Sequence, residues 1–391
     1  MVENTGKKGI KVKMKKVLIT GGAGFIGSNL ALKLKNKGYE VVVLDNLSEQ
    51  IHGKNPDKSY TYSLIKDKVK FIKGNVKDRS AWDEALTDDI DLVIHLAAET
   101  GTGQSMYEIE KYVDTNIKGT SILLDKIVNE KLNVKKLIVA SSRAIYGEGK
   151  FSCDEHGIVY PESRKDEDMK NGDFNVKCPI CGKNVRMELT DEESKSHPTS
   201  VYGYTKKAQE ELSLLIGKSI NLPVVAFRFQ NVYGPGQSLK NPYTGILSIF
   251  STQIKNGNDI NIFEDGKETR DFVYIDDVTD AIILSIDNDR ANYKVFNVGS
   301  NEKLDVLTIA NTLKEKYNSN VNIKISGNYR LGDIKDNQAD LTKIHEILGY
   351  EPKVDFRTGI SNFVDWVEKQ EIEQDNYEKS IEEMKLKGLY K

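Results

Sequence analysis

Tyr202 and Lys206 place a phenol and an ammonium four residues apart in a chain of 391 residues, a spacing that puts both on one face of a helix. A phenol is a poor base at its ordinary pKa of about 10, and a neighbouring cation favours the phenolate. The pair reads as a proton-transfer site near neutral pH, with Lys206 supporting the phenolate. A third group must hydrogen-bond the reacting oxygen, and Ser142, beside Ser141 at the end of the apolar run 137–140, is placed for it. The expected catalytic residues are therefore Ser142, Tyr202 and Lys206.

The partner chemistry lies in Thr20-Gly21-Gly22-Ala23-Gly24-Phe25-Ile26-Gly27. Gly21 permits a sharp strand-to-helix turn, Gly24 lets the main chain approach a pyrophosphate, and Gly27 lets the new helix pack on a sheet. Amides at the helix start face the anion. About two dozen residues beyond Gly21, after the apolar run 41–44, stands Asp45. An acid there accepts from an adenosine ribose and repels a 2′-phosphate, which selects NAD over NADP. Redox chemistry with a tyrosine base is the expectation.

A second constellation holds all three cysteines. Cys153-x-x-His156 and Cys178-Pro-Ile-Cys181-Gly182 are two pairs at metal-ligand spacing. They sit between Ser142 and Tyr202, which are 60 positions apart. Cys153, His156, Cys178 and Cys181 are the expected ligands of a structural zinc that pins a polar excursion. With four protein ligands the site is closed and has no catalytic role. His197 is an alternative ligand. His95 reads as a packed, hydrogen-bonded residue beneath the cofactor loop, whereas His52 and His345 read as surface positions.

The elements that must position these groups alternate. Strand-like runs at 17–19, 41–44, 69–72, 92–96, 137–140 and 224–229 are interleaved with helical periodicity around 30–34, 80–86, 120–128 and 208–216. Continuous apolar strands between helices build a parallel sheet buried on both faces. The expected fold is α/β, a Rossmann-type doubly wound parallel sheet with a smaller C-terminal substrate-binding α/β domain. The boundaries follow composition: a tail at 1–14, a cofactor domain at 15–235 carrying the insertion 150–195, and a substrate domain at 236–391 whose residues 271–300 partly return to the first. From about Glu368 the charged pattern reads as a peripheral helix or frayed tail. A net charge of −3 with 38% hydrophobic and 29% charged residues suits a soluble globular protein and gives no reason for a nucleic-acid partner. No apolar run approaches the roughly 20 residues of a membrane span. The Lys-rich start lacks a secretory core, and the expected compartment is the cytoplasm.

These motifs, together with His95-Leu96-Ala97-Ala98, Asn116, Tyr146-Gly147, the run Arg228 to Pro235, the run Arg270 to Val278 and Arg330-Leu331-Gly332-Asp333, resemble the extended short-chain dehydrogenase/reductases that act on nucleotide-diphospho-sugars. The resemblance covers 15–366. It implies further cofactor contacts from Phe25, Ile26, Asn46, Asn75, Val76, Leu96, Ala97, Ala98 and Asn116. It also implies a diphosphate held by Asn231, Arg270 and Arg330, whose guanidinium forks suit phosphate oxygens. Ser142-Arg143-Ala144 stands where the family's 4,6-dehydratases carry two carboxyls, so elimination of water has no support. The finer resemblance, in Gly103 to Glu108, Ser142 to Gly149, the Cys-Pro-x-Cys-Gly segment and Asn241 to Gly245, is to the dTDP-L-rhamnose 4-epimerase subfamily. It adds Gln104, Ser105, Ser142, Arg143 and Asp333 to the expected substrate contacts. UDP-glucose and UDP-N-acetylglucosamine 4-epimerases are the near alternative. A solvent-exchanging reductase, a nucleotide-uronic-acid decarboxylase and a non-enzymatic NAD sensor are the rivals, and the sensor has no need of Ser142, Tyr202 and Lys206 together. The family also implies a homodimer formed through a helix bundle.

Overall fold

A computed structural model describes residues 15–243 and 245–391; the expected tail and Thr244 lie outside them. Seven strands form the main sheet: β1 (Lys16–Thr20), β2 (Glu40–Asp45), β3 (Lys70–Lys73), β4 (Leu92–His95), β5 (Lys136–Ser142), β6 (Val224–Phe229) and β7 (Lys294–Val298). Their spatial order is β3-β2-β1-β4-β5-β6-β7, every pair parallel. The chain works outward from β1 to β3 and then crosses back to β4. That reversal leaves a crevice beyond the carboxyl ends of β1 and β4, the usual ligand position in such sheets.

Alternation along the strands feeds two cores. Val17, Ile19 and Val43 face one side, against Leu30 and Leu34 of α1 (Phe25–Asn36). Leu18, Val42 and Leu44 face the other, against Trp82 and against Leu123 and Ile127 of α2 (Gly119–Asn129). Side chains of successive strand residues point to opposite faces, so continuous apolar runs are what a sheet covered on both sides requires. Each fully buried Leu or Ile contributes about 1.5–3 kcal/mol. The helix α3 (Val201–Ser219) lies along β5 and β6. It is tied to β6 by the buried Glu210–Arg228 pair at 2.6 Å, and Arg228 also donates to the Tyr146 hydroxyl at 2.7 Å.

The smaller lobe has its own core around Leu247, Phe250, Ile262, Phe272, Ile309 and Phe363. Two features differ from the sequence-based boundaries. Tyr233 already belongs to the second core, because Asn231–Tyr233 pairs with Thr269–Tyr274. Beyond the expected return of β7, residues 339–350 also rejoin the first core through Ile344, Leu348 and Tyr350, the last donating to the Gly299 carbonyl at 2.8 Å. The insertion forms a small antiparallel sheet from Phe151–Cys153, Gly157–Val159 and Arg186–Met187. The segment after Glu368 is not a frayed tail. Its helix α4 (Tyr377–Leu386) buries Ile381 and Met384, and with Tyr390 they pack on Tyr107 and Phe263. The apolar residues 377, 381 and 384 fall on one helical stripe, thin but sufficient because it meets aromatic partners. Among the described residues no helix is long and apolar enough to cross a membrane.

Candidate active site

A cavity of about 340 Å³ opens at the crevice. Every expected cofactor residue except Asn116 lines it. The glycines are needed there. Gly21 has φ +67°, and a Cβ on it would stand 2.8 Å from the Ala97 nitrogen; on Gly27 it would stand 2.2 Å from the Gly21 carbonyl oxygen. Asp45 ends β2 facing the cavity, its carboxylate accepting from the Ala23 and Leu47 amides at 3.0 and 2.8 Å. Burial raises its pKa, and those amides and His52 oppose the rise. Ser141 adds a buried hydroxyl with no hydrogen-bond partner among the described residues, at the cavity wall. Small glycines at the close approaches, a terminal acid and an unsatisfied hydroxyl fit a dinucleotide.

Two expectations change here. Asn116 is fully buried outside the cavity, bonded to both backbone groups of Glu99 and to the Thr205 hydroxyl at 2.9 Å. It fixes the loop after β4 to α3 and contacts no ligand space. His52 is not a surface residue. It is 2% exposed, with Nδ1 2.8 Å from the Ser59 hydroxyl and Nε2 3.9 Å from Asp45, because the short helix Glu49–His52 folds over the end of β2. His345 is exposed beside Glu351, as expected.

The catalytic helix begins with care. Ser200 caps α3 by accepting from the Gly203 amide at 3.1 Å, and the Ser105 hydroxyl accepts from the Tyr202 amide at 3.0 Å. Both satisfy donors that a helix start leaves unpaired. Tyr202 and Ser142 then meet where the first cavity joins a second of about 380 Å³. Burial raises the Tyr202 pKa, while a hydrogen bond with Ser142 and the Arg143 guanidinium pull it back. Ser142 and Arg143 are thus two groups that draw the phenol toward ionisation. Lys206, one turn along and 2% exposed, gives its ammonium to the Gln209 amide oxygen, and burial lowers its pKa to about 7.

Beneath the cavity the hydrogen bonds continue. Gln209 donates to the Thr120 hydroxyl at 3.0 Å, and that hydroxyl donates its one proton to the Asn116 carbonyl at 2.6 Å. His95 Nε2, 3.1 Å from the same oxygen, must therefore donate, and its Nδ1 accepts from Thr20 at 2.7 Å. Burial holds His95 neutral with a pKa of about 3.

The second cavity carries three arginines beside three acids, Glu264, Glu268 and Asp333. Arg143, Asn231, Arg270, Arg330 and Asp333 line it. Arg270 is steadied by the carbonyls of Thr269, Ile334 and Lys335 at 2.8–3.0 Å. Arg330 donates to Asp333 at 2.9 Å and lies over the Phe263 ring at 5.1 Å. Burial and Arg270 lower Arg143 to about 10, which still leaves it charged at neutral pH. Asn231 Oδ1 and Gln237 Oε1 are buried without partners among the described residues. Three guanidiniums suit an anion of diphosphate size, whereas the two free amide oxygens are acceptors that suit a hydroxyl-bearing group. Gln104 and Ser105, expected as substrate contacts, line neither cavity. Gln104 is bound up with Gln50 and Tyr112, and Ser105 donates to the Thr102 carbonyl at 2.6 Å while capping Tyr202. Sequence reasoning missed Gln237, Glu268 and Tyr377 on the wall; the only available signal for Tyr377 was its place on the stripe with Ile381 and Met384.

In the insertion, Cys153, His156, Cys178 and Cys181 bring one ligand atom each within 4.8 Å of all the others. Cys153 Sγ lies 3.5 Å from His156 Nδ1 and 3.7 Å from Cys181 Sγ, and Cys178 Sγ lies 3.7 Å from His156 Nδ1. His197, the alternative ligand, instead meets the Pro161 carbonyl at 2.9 Å.

The NAD dependent epimerase/dehydratase family matches residues 17–166 and 178–299, and the chain belongs to that family. Its relatives narrow the comparison. A dTDP-L-rhamnose 4-epimerase from Burkholderia thailandensis is 36% identical, over 93% of this chain and 97% of the relative. The structure of a UDP-glucose 4-epimerase from Thermotoga maritima with UDP-glucose matches with a TM-score of 0.72 and 31% identity, over 90% of this chain and 99% of that one. A Bacillus cereus UDP-glucuronic acid 4-epimerase, solved with UDP-glucuronic acid and NAD, matches with a TM-score of 0.72 and 26% identity over the same shares.

Proposed function

We propose that this protein is an NAD-dependent nucleotide-diphospho-sugar 4-epimerase acting on a dTDP-L-rhamnose type of substrate. The observation that carries the reading is the meeting of a dinucleotide-shaped cavity and an arginine-rich cavity at Ser142 and Tyr202. The 36% identical relative favours the sugar. Arg143 argues against dehydration, since a guanidinium cannot serve there as acid or base. A UDP-glucose or UDP-N-acetylglucosamine 4-epimerase is the second reading, favoured by the Thermotoga maritima structure.

Bound NAD supplies the acceptor, and then the donor, of one hydride. Tyr202 removes the proton of the sugar 4-hydroxyl and restores it once the 4-keto ring has presented its other face. Ser142 orients that oxygen. Lys206 supplies an ammonium beneath the phenol for a nicotinamide ribose. Asn231, Arg143, Arg270 and Arg330 hold the diphosphate while the sugar turns. The cysteine–histidine group is a structural zinc site in this reading, because its interatomic distances suit tetrahedral bonds of about 2.3 Å to sulfur and 2.0–2.1 Å to nitrogen. The protein is a homodimer of the cytoplasm, a reducing compartment in which its three cysteines, none in a disulfide, stay available to the metal.

The test offers dTDP-L-rhamnose, UDP-glucose, UDP-N-acetylglucosamine and UDP-glucuronic acid and follows C4 inversion by NMR. Protein purified without added cofactor should carry NAD. Tyr202→Phe should lower turnover by about 10²–10⁴-fold and keep its NAD. Full turnover in that variant removes Tyr202 as the base, and release of carbon dioxide or a net-reduced sugar without inversion removes the epimerase reading.

A further inference from the structure

Residues 372–391 pack beside the substrate cavity and give it one wall residue, Tyr377. Tyr377, at the start of α4, lines that cavity and stacks on Phe263 with ring centres 6.4 Å apart and planes 25° apart. Phe263 is the ring beneath the Arg330 guanidinium. The segment's other end reaches the same arginine. Residues 389–391 pair antiparallel with 329–331: the Tyr329 amide donates to the Lys391 carbonyl at 3.1 Å, Lys391 returns the bond at 3.0 Å, and Leu331 donates to Leu389 at 3.0 Å. Tyr390 also meets Phe263 edge-on at 5.3 Å. In the middle, Glu383 accepts from the Tyr243 hydroxyl at 2.6 Å and from the Tyr107 hydroxyl at 3.4 Å. The loops carrying Tyr107 and Tyr243 border the cavity, through Thr102 and Gly245. Lys240–Glu373 at 3.4 Å and Asn258–Asp375 at 2.8 Å complete the strapping.

We propose that residues 372–391 belong to the substrate site: they fix Arg330 by backbone pairing and add the Tyr377 hydroxyl as a further donor to the diphosphate. The proposal rests on the diphosphate reading of the arginine cavity. Three features carry it together. The strap bonds to the backbone on both sides of Arg330 and so holds the segment whose guanidinium Asp333 and Phe263 orient. Tyr377 is the strap's side chain on the cavity wall. Arg330 also lies close enough to oppose the burial-driven rise of the Tyr377 pKa, so phenol and guanidinium address the same space. An epimerase must grip the diphosphate while the sugar reverses its face, and a neutral phenol beside an arginine strengthens the grip without adding a charge to be neutralised.

The test measures the affinity of the full-length, NAD-loaded protein for dTDP and UDP by calorimetry, with KM and kcat for the best sugar nucleotide. Tyr377→Phe should weaken diphosphate binding about fivefold, as loss of one hydrogen bond would. Deletion of 372–391 should weaken it by about tenfold or more, since Arg330 is released as well. In both, the loss falls on KM rather than kcat, and the NAD content is kept. Wild-type affinity in a deletion that retains NAD overturns the proposal. If the shortened chain does not fold, Tyr377→Phe and Glu383→Gln decide: wild-type affinity in both overturns it, and a raised KM in both supports it. Failure of the wild-type protein to bind either diphosphate removes the underlying reading instead, which separates the two failures.

Discussion

Lys206 lies 2% exposed against the Gln209 amide, and burial brings its pKa to about 7 against the opposing pull of Glu210. Spacing to Tyr202 identified the pair, but it could not show that the lysine is desolvated while Arg143 faces the phenol. His95 gives the cleanest titration. Its folded pKa of about 3 lies below its ordinary 6.5, so between those values the unfolded chain binds the proton that the folded chain refuses. Stability from this group is complete above pH 6.5 and is lost as pH falls toward 3, by about 4–5 kcal/mol at the acid end. In denaturant titrations, His95→Gln should be less stable than wild type at pH 7 yet lose stability less steeply between pH 6.5 and 4. Parallel slopes for the two proteins would assign the acid sensitivity elsewhere.

At the scale of elements, the insertion reaches the substrate lobe. Its Arg164, with a side chain 3% exposed, donates from Nη2 to Glu264 at 2.8 Å and to the Asp333 carbonyl at 2.9 Å, and pairs with Glu148 at 3.3 Å. Glu264 and Asp333 line the substrate cavity. A metal that holds the insertion would therefore steady one wall of the site without touching substrate. Protein purified without chelator should contain about one zinc per chain, and Cys178→Ser should lose it. The variant's melting temperature should fall by roughly 3–6 °C, with KM rising more than kcat falls. Absence of stoichiometric zinc in the wild-type protein would end this account and leave the catalytic one standing.

For the whole molecule, two adjacent helical segments keep apolar groups in solvent: Ile109 is 52% exposed, Tyr204 62% and Leu215 61%. Large apolar groups grouped on neighbouring helices suit a two-fold contact that doubles the pair into a four-helix bundle. Light scattering should give a dimer mass, and Leu215→Asp should shift it to the monomer while leaving the melting curve nearly unchanged. A wild-type monomer at micromolar concentration would remove the dimer.

Local chemistry was readable from the chain alone. Gly21, Gly27, Asp45 and the Tyr202–Lys206 spacing announce themselves because turn conformation, close approach and helical periodicity depend on near neighbours, and the apolar runs marked the strands of the sheet for the same reason. Contacts made across long sequence separations were not readable. Asn116 and Ser105 have the residue types of ligand contacts, yet Asn116 is consumed by Glu99 and Thr205, and Ser105 by its own turn at Thr102 and by the distant Tyr202 amide. His52 is buried by a loop whose course no periodicity records. The highly charged residues 372–391 look like solvent-facing helix until Phe263, Tyr107 and Arg330 arrive from three other parts of the chain to meet them. Pattern fixes what a residue can do; packing decides which of its capacities are left free for a ligand.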